Sequence, residues 1–238
     1  DPYLMKDMDK AVNRILSAVD NGEKIVIYGD YDVDGVCATA TLFTCLENMG
    51  ANVFYKLPNR EKDGYGLNAA ILQSLKNKGV DLVVTVDNGI AAISEVEFAN
   101  SIGLDIIITD HHLPKGEIPA ALAVVDPLRK DDESPCKTLC GAGVAFKLVC
   151  ALEQADPMEM LEFYGDFAAV GTVADLMMLE GENRTIVKAG LALLNEGMRQ
   201  GFNSIIEVCG LKGKEITSES IAYAIGPRIN AAGRMADP

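Results

Sequence analysis

The chain has 238 residues with 21 basic and 35 acidic side chains, a formal net charge of −14. Its length bounds it to one large domain or two small ones, and 49% hydrophobic with 24% charged residues excludes a disordered chain. The acidic balance argues against a generally basic nucleic-acid-binding surface, but not against a site that meets nucleic acid through metal ions.

In chain order, Lys24–Tyr28 is a short β-branched run bounded by Gly22 and Gly29, which predicts a buried parallel strand. Segments 52–57, 81–86, 105–109 and 121–125 read the same way. Apolar residues at three- and four-residue intervals predict helices over about 35–49, 67–78 and 91–102 between them. Strict alternation implies an α/β fold with a largely parallel sheet flanked by helices, and right-handed crossovers gather the strand ends on one edge. After Pro127 the pattern changes. Residues 129–135 are a polar loop, followed by predicted helices over about 141–153, 158–170, 183–196 and 216–224. The expected organisation is an α/β half, 1–126, and a helical C-terminal extension of the same domain, 127–238.

No apolar run approaches the roughly 20 residues of a membrane helix. Cys37, Cys45, Cys136, Cys140, Cys150 and Cys209 lack the spacing of a disulfide scaffold and are expected as free thiols of a reducing cytoplasm. Cys136 and Cys140 have no second Cys/His pair near enough to complete a zinc site. No signal peptide is expected, and a chain running from Asp1 to Met235-Ala236-Asp237-Pro238 reads as a piece of a longer protein.

The strand ends carry the chemistry. Strand 24–28 runs into Asp30, Asp32 and Asp34, strand 81–86 into Asp87-Asn88-Gly89, and strand 105–109 into Asp110-His111-His112, the only histidines in the chain. Ligand sites in open α/β sheets lie outside the carboxyl ends of strands, so the three clusters should converge. Asp30, Asp32 and Asp34 alternate, and on an extended segment they would point the same way. Carboxylates so close repel one another unless a cation holds them. Oxygen and imidazole ligands without thiolate suit Mn²⁺ or Mg²⁺, with enough ligands for two ions and one bridging carboxylate, the usual device for attack of water on a phosphate ester. The plain alternative is that Asp-rich turns cap helices, and Asp34-Gly35 does open one.

These residues match a family. Gly29-Asp-Tyr-Asp-Val-Asp-Gly35, Val86-Asp-Asn-Gly89 and Thr109-Asp-His-His112 resemble the first three motifs of the DHH phosphoesterases, and Gly171-Thr-Val-Ala-Asp175 resembles the fourth. Gly226-Pro-Arg-Ile-Asn-Ala-Ala-Gly-Arg234 is similar to the segment closing the catalytic core in the RecJ-like branch, the single-strand-specific 5′→3′ DNA exonucleases; Pro58-Asn-Arg and Gly64-Tyr-Gly-Leu67 fit that branch too. The resemblance spans residues 24–234. It implies metal ligation by Asp32, Asp34, Asp87, His111 and Asp175, with Asp30 a further member of the first cluster. His112 would then hydrogen-bond the scissile phosphate or help activate water, Asp110 would orient a histidine, and Arg228, Asn230 and Arg234 would grip substrate phosphates.

One departure from the family pattern is informative. Small-substrate members, including pyrophosphatases, have a histidine four residues before the aspartate matching Asp32, and here that position is Tyr28. Asp30 would replace the lost ligand. Two features stay open. Lys56, Arg60 and Lys62 beside Tyr55 and Tyr65 form either a strand-binding wall or a solvated loop. Gly141-Ala142-Gly143 either presents amides to a phosphate or allows close packing on the sheet.

The resemblance therefore implies a metal-dependent phosphodiesterase acting on single-stranded DNA, with unspecified DNA repair or recombination proteins as partners and no membrane. RecJ-like enzymes continue into a DHH-associated domain and an oligonucleotide-binding fold, neither of which this chain contains. Two rivals are a small-nucleotide phosphodiesterase acting on short oligonucleotides or cyclic dinucleotides, and a non-catalytic replication scaffold.

Overall fold

The computed structural model describes residues 1–58 and 66–235, with side chains of the last helix as far as Ala232. Five strands, β1 (Lys24–Tyr28), β2 (Asn52–Lys56), β3 (Leu82–Val86), β4 (Asp105–Thr109) and β5 (Ala123–Val125), form one parallel sheet in the order β2-β1-β3-β4-β5. Helices α1 (Met8–Asp20), α2 (Val33–Asn48), α3 (Ala69–Asn77) and α4 (Ile93–Ser101) alternate with the first four strands. A long connection without a helix leads from β4 to β5.

The strands are apolar on both sides because both sides are covered. Ile25, Ile27, Val84 and Ile107 point to the face packed by α1 and α2, whereas Val26, Tyr28, Val83 and Ile108 meet Leu72 of α3 and Val96 of α4. The chain leaves β1 toward one face and β3 toward the other. Strand order reverses between them, and the crevice this opens is where an α/β sheet binds its ligands.

The remainder is helical: α5 (Gly141–Glu153), α6 (Pro157–Ala174), α7 (Gly181–Glu196), α8 (Gln200–Val208), the short α9 (Ser218–Ser220), a π-helical turn at Ile221–Ile225, and α10 (Gly226–Met235). Helices α5 and α6 pack on α2, so one apolar core runs from the sheet through Leu42, Leu148 and Val170.

The predicted strands and most predicted helices stand within a few residues of the observed ones, with informative exceptions. Helices α1 and α8 lie outside the predicted elements, although Met8, Ala11, Val12, Ile15 and Ala18 give α1 a helical apolar stripe. The helix expected to stop at 224 continues to Met235. There the Gly226 amide reaches back five residues to Ile221 O, and this wider turn carries the chain past Pro227, which has no amide to give. Asp30, Asp32 and Asp34 do not share one extended segment. The backbone is extended only to Asp32 (φ −83°, ψ 179°), and α2 begins at Val33, which puts Asp34 in the first helical turn.

Candidate metal centre

Each acid reaches the crevice by a different local device. Asp30, 4% exposed, ends the turn after β1. Burial pushes its carboxyl up to about 6, against the Tyr31 amide that it accepts and with Asp32 adding repulsion. Asp32 caps α2, accepting the Gly35 amide at 3.0 Å, so the capping alternative holds for one of its oxygens.

Asp34 is buried and accepts the Gly141 amide at 2.6 Å and the Ala142 amide at 2.9 Å. The N-terminus of α5 thus receives its negative charge from α2. The Gly141–Gly143 segment presents its amides to a carboxylate of the chain itself rather than to a phosphate, and Gly141 also allows the close packing on the sheet that was the other alternative, against Asp87 at the end of β3. Small residues make this approach possible. A Cβ on Gly141 would lie 2.5 Å from Asp87 Cβ, and one on Gly171 would lie 2.6 Å from Asp34 Oδ1.

Asp87 follows β3 with φ 60°, the left-handed region that few non-glycine residues adopt. Asp175 ends α6 as its C-cap. His111 is buried after β4, and its Nε2 faces Asp87 Oδ1 at 3.1 Å, Asp34 Oδ2 at 3.5 Å and Asp175 Oδ2 at 3.7 Å. Burial outweighs the neighbouring carboxylates, Asp34 first, and holds the His111 imidazole below its usual value, which favours the neutral ring that a metal ion can take as a ligand. Burial raises the carboxyls of Asp34 and Asp87, and it takes Asp175 to about 7.

Among the described residues, three sets have ligand atoms within 4.8 Å of one another: Asp30, Asp32 and Asp87; Asp34, His111 and Asp175; and Asp87, His111 and His112. Asp87 belongs to two sets and touches the third through His111, the position a bridging ligand would occupy. Its Oδ1 is buried with no hydrogen bond, despite lying beside His111. A buried carboxylate oxygen without a donor costs about 1–3 kcal/mol or more, and a cation removes that cost. The donor set is oxygen and imidazole. Cys37 and Cys140 lie near Asp34, but burial holds both thiols well above their usual value, so neither offers a thiolate. The residues fit Mn²⁺ or Mg²⁺.

His112 is different. It is half exposed, and its Nδ1 lies 2.7 Å from Asp110 Oδ1. That bond raises the imidazole to about 9 despite partial burial. Asp110 is buried and fully used: Oδ1 also accepts the amides of His111 and His112, and Oδ2 accepts the Ile90 amide at 2.9 Å. Asp110 therefore orients His112, leaving the imidazolium facing outward over the acids.

The α10 residues are spread around that helix. Asn230 Oδ1 accepts the Val33 amide at 3.1 Å, fastening α10 to the start of α2. Arg228 is exposed, donates to Ala224 O and lines an apolar cavity of about 540 Å³ with Val36, Phe167 and Phe202. The side chain of Arg234 lies outside the described residues, as do Arg60, Lys62 and Tyr65; Tyr55 is exposed and packs edge-on against Phe43 at 5.6 Å. Tyr28 is fully buried, and its hydroxyl donates to Gly66 O on the α3 side of the sheet, away from the acids.

One residue of this neighbourhood escaped the sequence reading. Asp126, fully buried after β5, is a fourth strand-end aspartate. Burial pushes it up to about 7, with Asp110 adding repulsion, and its Oδ2 has no partner. Its signal was the pattern itself, an aspartate directly after Val124-Val125. Among the described residues no helix is long and apolar enough to cross a membrane.

Residues 24–172 match the family model described as DHH family, N-terminal domain. The whole chain is 44% identical to the single-stranded-DNA-specific exonuclease RecJ of Bacillus subtilis, of which it spans 30%. It is similar to a crystal structure of exonuclease RecJ bound to manganese, with TM-score 0.87 and 36% identity over 98% of this chain and 59% of that one. It is also similar to a structure of RecJ in complex with Mn²⁺ from Thermus thermophilus, with TM-score 0.82 and 35% identity over 97% of this chain and 33% of that one. The chain thus spans less than two thirds of each of these proteins.

Proposed function

This chain belongs to the DHH family, and on that premise we propose that it is the catalytic core of a RecJ-like, metal-dependent phosphodiesterase that hydrolyses single-stranded DNA from the 5′ end to mononucleotides. The observation that carries this reading is the buried Asp87 Oδ1 without a hydrogen bond, in a residue that belongs to two of the three sets of ligand atoms. Two Mn²⁺ or Mg²⁺ ions would be held by Asp30, Asp32 and Asp87 on one side and by Asp34, Asp87, His111 and Asp175 on the other. Bound there, they would polarise the phosphate and lower the pKa of a water, as two-metal sites do.

The remaining roles belong to this chain's own groups. Asp110 orients His112 through the 2.7 Å bond to its Nδ1, and the ring is placed to hydrogen-bond a phosphate oxygen or help activate water. Arg228, Asn230 and Arg234 of α10 are assigned to substrate phosphates, the arginines by charge-assisted bonds. Residues 127–238 complete the same domain. The net charge of −14 leaves few cations along a DNA path. This chain alone therefore binds metal well and degrades long DNA poorly, and nuclease activity equal to that of a full-length relative would overturn that expectation. A cytoplasmic location and contacts with DNA repair or recombination proteins belong to the same proposal.

The test is Mn²⁺-dependent cleavage of a short 5′-labelled single strand, the matching duplex and a dinucleotide. Labelled mononucleotide released from the single strand alone supports the exonuclease. Cleavage confined to the dinucleotide moves the protein to the small-nucleotide branch, and failure to bind Mn²⁺ leaves a non-catalytic scaffold.

A further inference from the structure

Asn88 has no part in the ligand sets or the phosphate contacts, yet it is 1% exposed at the centre of the site. Its side-chain amide donates twice, to Val86 O at 2.9 Å on its own strand and to Tyr28 O at 3.1 Å at the end of β1. The ladder between β1 and β3 stops at the Tyr28–Thr85 pair, whereas that between β3 and β4 runs on to Val86–Thr109. A side chain therefore continues the pairing that the main chain abandons where the strand order reverses. On the β4 side, Thr109 Oγ1 also donates to Thr85 O at 2.8 Å and the Ile90 amide donates to Asp110.

This arrangement is held against a cost. Asp87 holds a left-handed backbone that few non-glycine residues adopt. Asn88 Oδ1 is buried without a hydrogen-bond partner, a second unfavourable feature at the same place. Local rules broken at one place without a stability gain mark a functional constraint. We propose that the Asn88 carboxamide is a clamp that holds the ends of β1 and β3 at the separation at which Asp87 serves Asp30 and Asp32 as well as His111. Asn88 is thus a positioning residue, and its loss removes the ion held with Asp30 and Asp32 while sparing the ion held by Asp34, His111 and Asp175. This rests on the two-ion reading above.

The experiment is Mn²⁺ titration of the metal-free 238-residue chain, followed by calorimetry and electron paramagnetic resonance. The unaltered chain binds two ions with an exchange-coupled spectrum. Asn88→Ala loses the coupling and binds one ion about 10–100-fold more weakly, as loss of a group that orients a ligand does, while the other is unchanged. Asn88→Ser, which keeps a donor too short to span both carbonyls, gives the same split and carries the test if the alanine variant does not fold by circular dichroism. A coupled pair retained in both variants, or both ions weakened alike, overturns the clamp. An unaltered chain that binds fewer than two ions sinks the two-ion reading and the clamp with it.

Discussion

Two clusters of acids stand out in this protein, and their electrostatics run in opposite directions. On the loop after β5, Arg129 is 6% exposed, bonds Asp7 Oδ2 at 2.6 Å and grips Asp131 with two parallel bonds. Beside it the Lys137 ammonium meets Asp132 Oδ1 at 2.8 Å and two main-chain carbonyls. Burial alone would raise the carboxyls of Asp7 and Asp132, but hydrogen bonds from Lys10 and Arg129, and from Lys137 and Ser134, outweigh it and hold both below their usual value. In the crevice and beside it Asp30, Asp34, Asp87, Asp126 and Asp175 are all raised, because there burial prevails; a cation of the chain, Arg129, opposes it only at Asp126 and does not reverse it. The first cluster brings its own cations and is complete. The second is an acid set built for cations that the chain does not encode, which is the electrostatic signature of a metal site rather than of a structural knot.

The sharpest way to break this contrast is to remove one member from each cluster. Arg129→Ala removes a buried guanidinium that ties Asp7, Asp131 and Val124 O together, while Asp7 keeps Lys10, so chemical denaturation should show a loss of about 1–3 kcal/mol. Asp87→Asn has the opposite signature. It removes a buried charge, so the metal-free protein is no less stable than before, while Mn²⁺-dependent phosphodiester cleavage falls by about a thousandfold or more, the several kcal/mol a two-metal site supplies. An Asp87→Asn protein that unfolds readily, or that still cleaves, would place Asp87 with the structural acids.

The same contrast explains what could be read from the residues and what could not. The parallel sheet was legible because Val83, Val84, Ile107 and Ile108 are buried on both faces, so their strands show as continuous apolar runs. The convergence of Asp30, Asp87 and His111 followed from the rule that strand ends share an edge. The run 129–135 read only as a polar loop, yet Arg129, Asp132 and Ser134 are buried in it. Composition cannot separate a loop that satisfies its own charges from one that gives them to water. Nor could spacing reveal that Asp34 would take the amides of Gly141 and Ala142, 107 and 108 residues away. Helix α1 was overlooked despite a clear apolar stripe, and that stripe was the available signal.

A gentler probe is pH. Asp30, Asp126 and Asp175 titrate at about 6, 7 and 7 when folded, against about 3.9 when unfolded, so the native state binds more protons between those values. Their contribution is fully present below the unfolded pKa and is lost as pH rises through the folded ones. His112, raised to about 9, acts in the same direction, whereas His111, lowered by burial, opposes it. Asp7, Asp131 and Asp132 are lowered, so their contribution is lost only as pH falls below the ordinary carboxylate range. The melting temperature of the metal-free chain should therefore drop by roughly 5 °C between about pH 4.5 and 7.5. Mn²⁺, which favours ionised carboxylates, should flatten that slope, and scanning calorimetry at several pH values with and without Mn²⁺ decides it. A metal-free slope that is flat or rises over this window would show that the carboxyls of Asp30, Asp126 and Asp175 are not raised, and so that their cluster is not short of cations.

The smallest effect sharpens the contrast at its border, where α10 meets α2. Asn230 satisfies the Val33 amide as a cap would, and it is also assigned to a substrate phosphate. Asn230→Ala removes both, so it lowers stability by about 1 kcal/mol without telling the two apart. Asn230→Asp separates them, because a carboxylate keeps an acceptor for the Val33 amide but sets a negative charge against the phosphate. The melting temperature should then stay within about 1 °C of the unaltered chain, with favourable charge near the start of α2 offsetting what the new acid costs. KM for a short single strand should rise about fivefold with kcat little changed, the pattern of lost ground-state binding. Unchanged KM in the aspartate variant would make Asn230 a cap alone, complete within the protein like the acids around Arg129.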